Sequence, residues 1–223
     1  MNKIWDKIED LALQFIERFS RTGEQISADN KDGWQNYLFN SQRYRRAHVE
    51  IVDYRTTKNI YILHTTIFPH YNDPSPIYGF DAICGRNKIT GAFHDFSNGG
   101  QSDHYMMTWF GDKTKDLTWS KPRDLPQWAQ QIFSENMIAA GNLHDVSEVG
   151  SLYNIALESL DYYLENVGLS QTCGSSYVMA QNRYCYYQKQ NPLVAKSMIS
   201  MGIPEPIIIK FIDDVLFPEY TKY

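Results

Sequence analysis

Apolar residues recur at helical spacing near the start of the chain: Ile4, Ile8, Leu11, Phe15 and Phe19, with Trp5, Ala12 and Ile16 widening the stripe. That spacing predicts an amphipathic helix over Lys3–Phe19. The next stretch, "SRTGEQISADNKDGWQ", is polar throughout and reads as a loop. From Tyr44 the pattern changes to runs that favour strands: Tyr44–Tyr54, Asn59–Pro69, Ile77–Cys84, Lys88–Phe96 and His104–Phe110. The connectors are the short segments "RTTK", "HYNDPSP", "GRN" and "SNGGQSD". Sequential strands with short connectors predict an antiparallel meander. A further strand is expected near Ile132–Ala140.

After about Val146 the period returns to that of a helix. "VSEVGSLYNIALESLDYYLENVG" closes on Gly168, a good C-terminal stop. "SSYVMAQNRYCYYQKQ" is a second candidate helix. In "NPLVAKSMISMG", Asn191 is the expected N-cap, Pro192 takes the first helical position and Gly202 ends the segment. "PEPIIIKFIDDVLF" is the last candidate. A helix, then a sheet, then several helices predict a layered α/β fold in a single domain, 1–223, with helices on the faces of the sheet.

Bulk properties narrow the classes of partner. A chain of 223 residues buries roughly 70% of the surface it would expose unfolded, enough for a core and a ligand pocket. Aromatics make up 14%, including 16 Tyr; they either fill the core or form flat apolar pocket walls. The net charge of −5 argues against a general nucleic-acid binder. Two local basic clusters remain: Arg43, Arg45 and Arg46, and then Lys113, Lys115, Lys121 and Arg123. Each reads as a solvated face, or together as a docking patch for an acidic partner. Cys84, Cys173 and Cys185 show neither CxxC nor zinc spacing, a pattern suited to a reducing compartment. The first residues lack a basic segment followed by a long apolar run, so no signal peptide is expected. No apolar run is long enough to span a membrane. A cytoplasmic monomer with no membrane or nucleic-acid partner is the expectation.

The polar residues inside the strands are the candidate chemistry. Alternation puts Tyr44, Arg46, His48, Glu50 and Val52 on one face of the first strand, and Ile60, Ile62, His64, Thr66 and Phe68 on one face of the second. A loop centred near Thr57 makes Glu50 face His64 and His48 face Thr66, with Cβ atoms about 5 Å apart. The third strand adds Asp81. A two-residue turn at Arg86-Asn87 would then bring Thr90 and Ala92 to the same face. The residues alone leave four readings open: a satisfied buried polar network, a solvated sheet face, an acid–base site, or a metal site in which His48, Glu50, His64 and Asp81 supply ligands.

At these residues the sequence resembles the ferredoxin-dependent bilin reductases, most closely those of the phycocyanobilin:ferredoxin oxidoreductase type. The matching text is "AHVEI", "ILHTTIFP", "YGFDAICGRNKITGA", "WSKPRDLPQWAQQIFS", "YCYYQKQN" and the terminal "VLF", in family order from about Arg43 to Phe217. The resemblance implies a three-layer α/β/α sandwich with a central antiparallel sheet. It implies biliverdin IXα as substrate, bound between the sheet and the C-terminal helices. Reduced ferredoxin would supply single electrons, with no metal and no bound cofactor, and the bilin would pass through radical states. It also assigns roles. Asp81, His64 and Glu50 are the catalytic proton-handling residues. His48 is linked to His64 through water or hydrogen bonds. Arg123 and Thr90 lie by the propionates, Trp128 and Asn191 line the pocket, and Ile62 is an apolar wall. Leu193 departs from the pattern, standing where a propionate-binding Lys is expected; Lys189 or Lys196 are the candidate substitutes. Glu50 with Asn191 resembles the phycocyanobilin-forming pattern, although viral-type members with similar residues give phycoerythrobilin. A non-catalytic bilin carrier and a metal hydrolase are the competing functions.

Overall fold

The computed structural model describes residues 3–28 and 30–221. Met1, Asn2, Asp29, Lys222 and Tyr223, which the expected loop and domain span include, lie outside the described residues.

Among the described residues, seven strands form one antiparallel sheet in chain order: β1 (Glu24–Ala28), β2 (Trp34–Asn40), β3 (Tyr44–Tyr54), β4 (Ile60–Pro69), β5 (Ile77–Gly85), β6 (Lys88–Ser97) and β7 (Ile138–Ala140). The expected meander from Tyr44 to Phe96 is present with nearly the expected bounds. Two strands were not anticipated. β1 and the first two residues of β2 arise from the stretch that reads as a polar loop, and the two strands extend the sheet beyond β3. The expected strand at His104–Phe110 is instead part of helix α3 (Tyr105–Thr114). His104 caps that helix by accepting the Met106 N–H, and its buried face is Met106, Phe110, Gly111 and Thr114. A short continuous apolar run is ambiguous between strand and helix, and here the i, i+4, i+8 spacing decides it.

The remaining helices are α1 (Lys3–Thr22), the single turn α2 (Arg55–Lys58) at the β3–β4 hairpin tip, α4 (Val146–Asn166), α5 (Val178–Gln188), α6 (Pro192–Ser200) and α7 (Glu205–Phe211), which runs on into a π-helical turn at Ile212–Leu216. Asn191 caps α6 with its side chain, as its sequence predicts.

The two faces of the sheet bury different sets. On one, Ala47, Val49, Leu63, Ile67, Tyr78, Phe80 and Ala82 pack beneath α1, α3 and α4 in an aromatic-rich core. On the other, Trp34, Val52, Phe68 and Ile77 pack against Tyr184, Met198, Ile208, Phe211 and Phe217 from α5, α6, α7 and the π-helical turn. Helices on both faces give the three-layer α/β/α sandwich that the resemblance implies.

The first basic cluster turns out to be part of this packing. Arg43 donates to the carbonyls of Leu164 and Glu165 at the C-terminal end of α4, where unpaired carbonyls and the helix dipole both favour a cation. Arg45 lies against the rings of Phe68 and Tyr71, each 4.5 Å away, and its Nε donates to Gln181. Arg46 donates to the Val215 carbonyl at 2.5 Å. These side chains tie helices to the sheet and do not form an open docking face.

Candidate active site

The β3–β4 hairpin sets the site. Its register pairs Glu50 with His64 and His48 with Thr66, as a loop centred on Thr57 requires. The tip is fixed by Asn59, which takes the left-handed conformation at φ 54° that Asn tolerates. It is fixed also by Arg55, which pairs with Asp53 at 2.6 Å and reaches Glu9 of α1 at 2.7 Å. A one-residue slip would turn every polar group of the hairpin to the opposite core. β5 then pairs His64 with Asp81, so Glu50, His64 and Asp81 form a row across three neighbouring strands.

The β5–β6 hairpin departs from the expectation. Arg86 and Asn87 form the two-residue turn, both with positive φ. Beyond it a bulge pairs Cys84 with Ile89 but Ile83 with Gly91, leaving Thr90 as the extra residue. The bulge moves β6 by one position, so Phe93, not Ala92, stands beside Asp81. Ala92 belongs to the opposite core. Thr90 directs its hydroxyl to the Ile83 carbonyl at 3.0 Å.

His64 is held on both sides. Nδ1 lies 2.8 Å from Asp81 Oδ1, and Nε2 lies 2.7 Å from the Thr66 hydroxyl. Burial works to lower the pKa of His64, but the charge and hydrogen bond of Asp81, aided by Glu50, outweigh it and the net shift is upward. Glu50 is buried, and its Oε1 accepts the indole N–H of Trp34 at 2.8 Å. Burial raises its pKa more than His64 and Trp34 lower it. The site therefore holds a carboxyl group inclined to keep its proton beside an imidazole inclined to gain one. Groups pushed apart from their ordinary values in one cleft are the material of general acid–base chemistry.

His48 sits lower in the same layer. Its Nε2 is 3.0 Å from Asn36 Oδ1, and its ring centroid is 5.9 Å from that of His64. Burial, then the neighbouring His64, hold its pKa well below the usual imidazole range, so it is neutral and donates from Nε2 to Asn36. Trp34 and Asn36 both come from β2, on the face that carries Glu50 and His48.

Above the row lies a cavity of about 440 Å³, within the range of small-molecule sites. Its floor is Glu50, Val52, Ile62, His64, Asp81, Ile83 and Phe93 from the sheet. Trp128, Phe133 and Met137 form one wall, while Asn191, Leu193 and Met198 of the α6 region form another. Asp95 of β6 anchors the first wall, accepting the Ser134 hydroxyl and N–H at 2.5 and 2.9 Å. Arg123 is the one Lys or Arg among the described lining residues. Its guanidinium lies 5.8 Å from the Phe93 ring centroid and donates to the Thr90 carbonyl. It passes so close to Gly141 that a Cβ there would meet Nε at 2.4 Å.

Of the residues expected at the site, Glu50, His64, Asp81, Ile62, Arg123, Trp128 and Asn191 line the cavity; His48 and Thr90 do not. Asn191 spends its side-chain oxygen on the Leu193 N–H at 3.0 Å, which leaves its amide NH₂ as a donor. Leu193 is 59% exposed at the cavity edge. Lys189 is held by Asp213 and Glu219, both at 2.9 Å, and neither it nor Lys196 lines the cavity. Among the described residues no group of three or more His, Cys, Asp or Glu side chains is arranged to hold a metal ion. No helix among them is long and apolar enough to cross a membrane.

Known proteins resemble this chain in sequence and in fold. A family model described as ferredoxin-dependent bilin reductase matches residues 3–218. A phycocyanobilin:ferredoxin oxidoreductase of Trichodesmium erythraeum is 28% identical over 163 residues, which cover 70% of this chain and 65% of the relative, just under two thirds of its length. Another, from Prochlorococcus marinus, is 22% identical over 206 residues, covering 86% and 78%. The solved structure of PcyX superposes with a TM-score of 0.69 at 27% identity, covering 96% of this chain and 99% of that one. Phytochromobilin synthase from tomato, solved in complex with biliverdin, shares the fold with a TM-score of 0.70 at 15% identity, over 96% and 82%. With a match to the family model running from the first described helix to the end of the π-helical turn, the chain belongs to the ferredoxin-dependent bilin reductases.

Proposed function

We propose that this protein reduces biliverdin IXα to a phycobilin, phycocyanobilin or phycoerythrobilin, taking four electrons singly from reduced ferredoxin. Four protons accompany them, so that each of two double bonds gains two hydrogens. The observation that carries this reading is the row of Glu50, His64 and Asp81 across β3, β4 and β5, facing an otherwise apolar cavity.

One electron added to a conjugated bilin makes its nitrogens and carbons more basic. A proton must then arrive before the next electron, and its source decides where hydrogen is added. Asp81 and His64 share a hydrogen bond, which suits the pair to hand a proton to the pyrrole and lactam region. Glu50, whose pKa burial raises against the pull of His64 and Trp34, suits delivery to a vinyl-bearing end of the bilin. Arg123 supplies the charge that would hold a propionate at the cavity edge. An acidic ferredoxin would approach the same edge, where Lys121 is exposed close to Arg123 in sequence.

The test is a biliverdin titration followed by a ferredoxin-driven reduction. A red-shifted bound spectrum that bleaches on reduction, with a phycobilin recovered by chromatography, is the expected result. Failure to bind biliverdin at micromolar concentration would remove the proposal. Binding without any spectral change under reduction would make the protein a carrier instead.

A further inference from the structure

We propose that Trp34 is a positioning residue for Glu50: its indole N–H fixes Oε1, leaving Oε2 as the oxygen that carries the proton to the bilin. The inference rests on the reading of Glu50 as a proton donor. An indole N–H can only donate. The oxygen it holds at 2.8 Å is therefore the carbonyl-like one when the carboxyl is neutral, and the proton belongs to the other.

The geometry holds the donor still. Trp34 is 3% exposed and does not line the cavity, so it acts on the substrate only through Glu50. The Phe211 ring packs edge-on against the indole at 4.6 Å, and the same ring lies 6.2 Å from His48. Trp34 pairs with Val52 across β2 and β3, which places it diagonally beside Glu50 on one face. The hydrogen bond also favours the carboxylate and so opposes the effect of burial. Trp34 thus fixes both the orientation of the donor and how readily it gives up its proton.

Two variants test this: Trp34→Phe, and replacement of Trp34 by β-(3-benzothienyl)alanine, which keeps the fused ring and loses only the N–H. The first readout is the infrared C=O band of Glu50 in the biliverdin complex, identified by its loss in Glu50→Gln. It should move to higher frequency in both variants. The second is the pH profile of single-turnover reduction. The limb that reports loss of the Glu50 proton should move up by about one pH unit or more, since a hydrogen bond to a charged group is worth about that much. An unmoved band and limb in the benzothienyl variant would overturn the assignment while leaving the bilin reductase reading intact. A wild-type protein that binds biliverdin but never reduces it would overturn both.

Discussion

His64 and Asp81 are direct cross-strand partners on β4 and β5, with Nδ1 and Oδ1 2.8 Å apart. The imidazole is buried and the carboxylate side chain is 38% exposed. The pair thus has one end in the protein and the other toward the cavity. Asp81→Asn keeps the shape and removes the charge that holds His64 up. Burial is then opposed by Glu50 only, and the His64 pKa should fall, read by NMR of the imidazole carbons across pH. The variant should still bind biliverdin but accumulate a one-electron-reduced radical, slowing turnover by roughly 10²–10⁴-fold. Full turnover would remove Asp81 from its role.

Arg123 and Leu193 make a matched pair of tests at the cavity edge. Arg123→Ala should weaken biliverdin binding by about 10–100-fold, the worth of charge-assisted hydrogen bonds to one propionate. Leu193→Lys restores a cation at an exposed position on the opposite wall. It should tighten binding several-fold, and less so at high salt. Fluorescence or absorbance titration reads both.

A second buried histidine reports on stability. His94 of β6 lies in the core opposite the site, with Nδ1 2.7 Å from the Gly79 carbonyl and Nε2 2.6 Å from the Ser159 hydroxyl. Burial lowers its pKa to about 4, against a partial upward pull from the Gly79 hydrogen bond. A folded pKa below the unfolded value means that the unfolded chain binds the proton first. The stabilisation from His94 is therefore present above pH ~6.5 and lost as pH falls toward 4, amounting to about 3 kcal/mol. The gap in unfolding free energy between wild type and His94→Gln should narrow by about that amount from pH 7 to pH 4 in urea titrations. A gap independent of pH would contradict it.

The Arg43–Arg46 cluster separates a structural role from a docking role. Burial, then the adjacent Arg45, lower the Arg46 pKa to about 10, and the side chain holds the backbone of the π-helical turn. Arg46→Met should lower Tm by roughly 2–6 °C and leave the KM for ferredoxin unchanged in a steady-state assay.

Much of this was legible in the chain because strand alternation is a strict constraint. Once the loop centre is placed at Thr57, the facing of Glu50, His64 and Asp81 follows. The gaps have separate causes. The stretch from Ser20 to Gln35 is too polar to announce β1, and β2 begins at its end with only a short apolar run, Tyr37–Phe39, behind it; Trp34 and Asn36, the partners of Glu50 and His48, were hidden with β2. Trp34 was the available signal, as a large apolar residue at the edge of a polar segment. The run from His104 to Phe110 is apolar at every turn, so its period was masked until the buried set of Met106, Phe110 and Thr114 is seen. The β6 bulge depends on how the Arg86-Asn87 turn feeds the ladder; the glycine at position 91, inside a strand, was its only trace. The basic cluster misled because charge alone does not reveal whether a guanidinium meets solvent or a helix end.

The central claim is that the carboxyl group of Glu50 delivers a proton in the reduction of biliverdin. The most direct measurement is chromatography of the bilins formed by wild type and Glu50→Gln with excess reduced ferredoxin. Wild type should give a four-electron-reduced phycobilin, whereas Glu50→Gln, which binds the same substrate without an acidic proton, should stop at a two-electron-reduced bilin. The same final phycobilin from both proteins at the same rate would contradict the account.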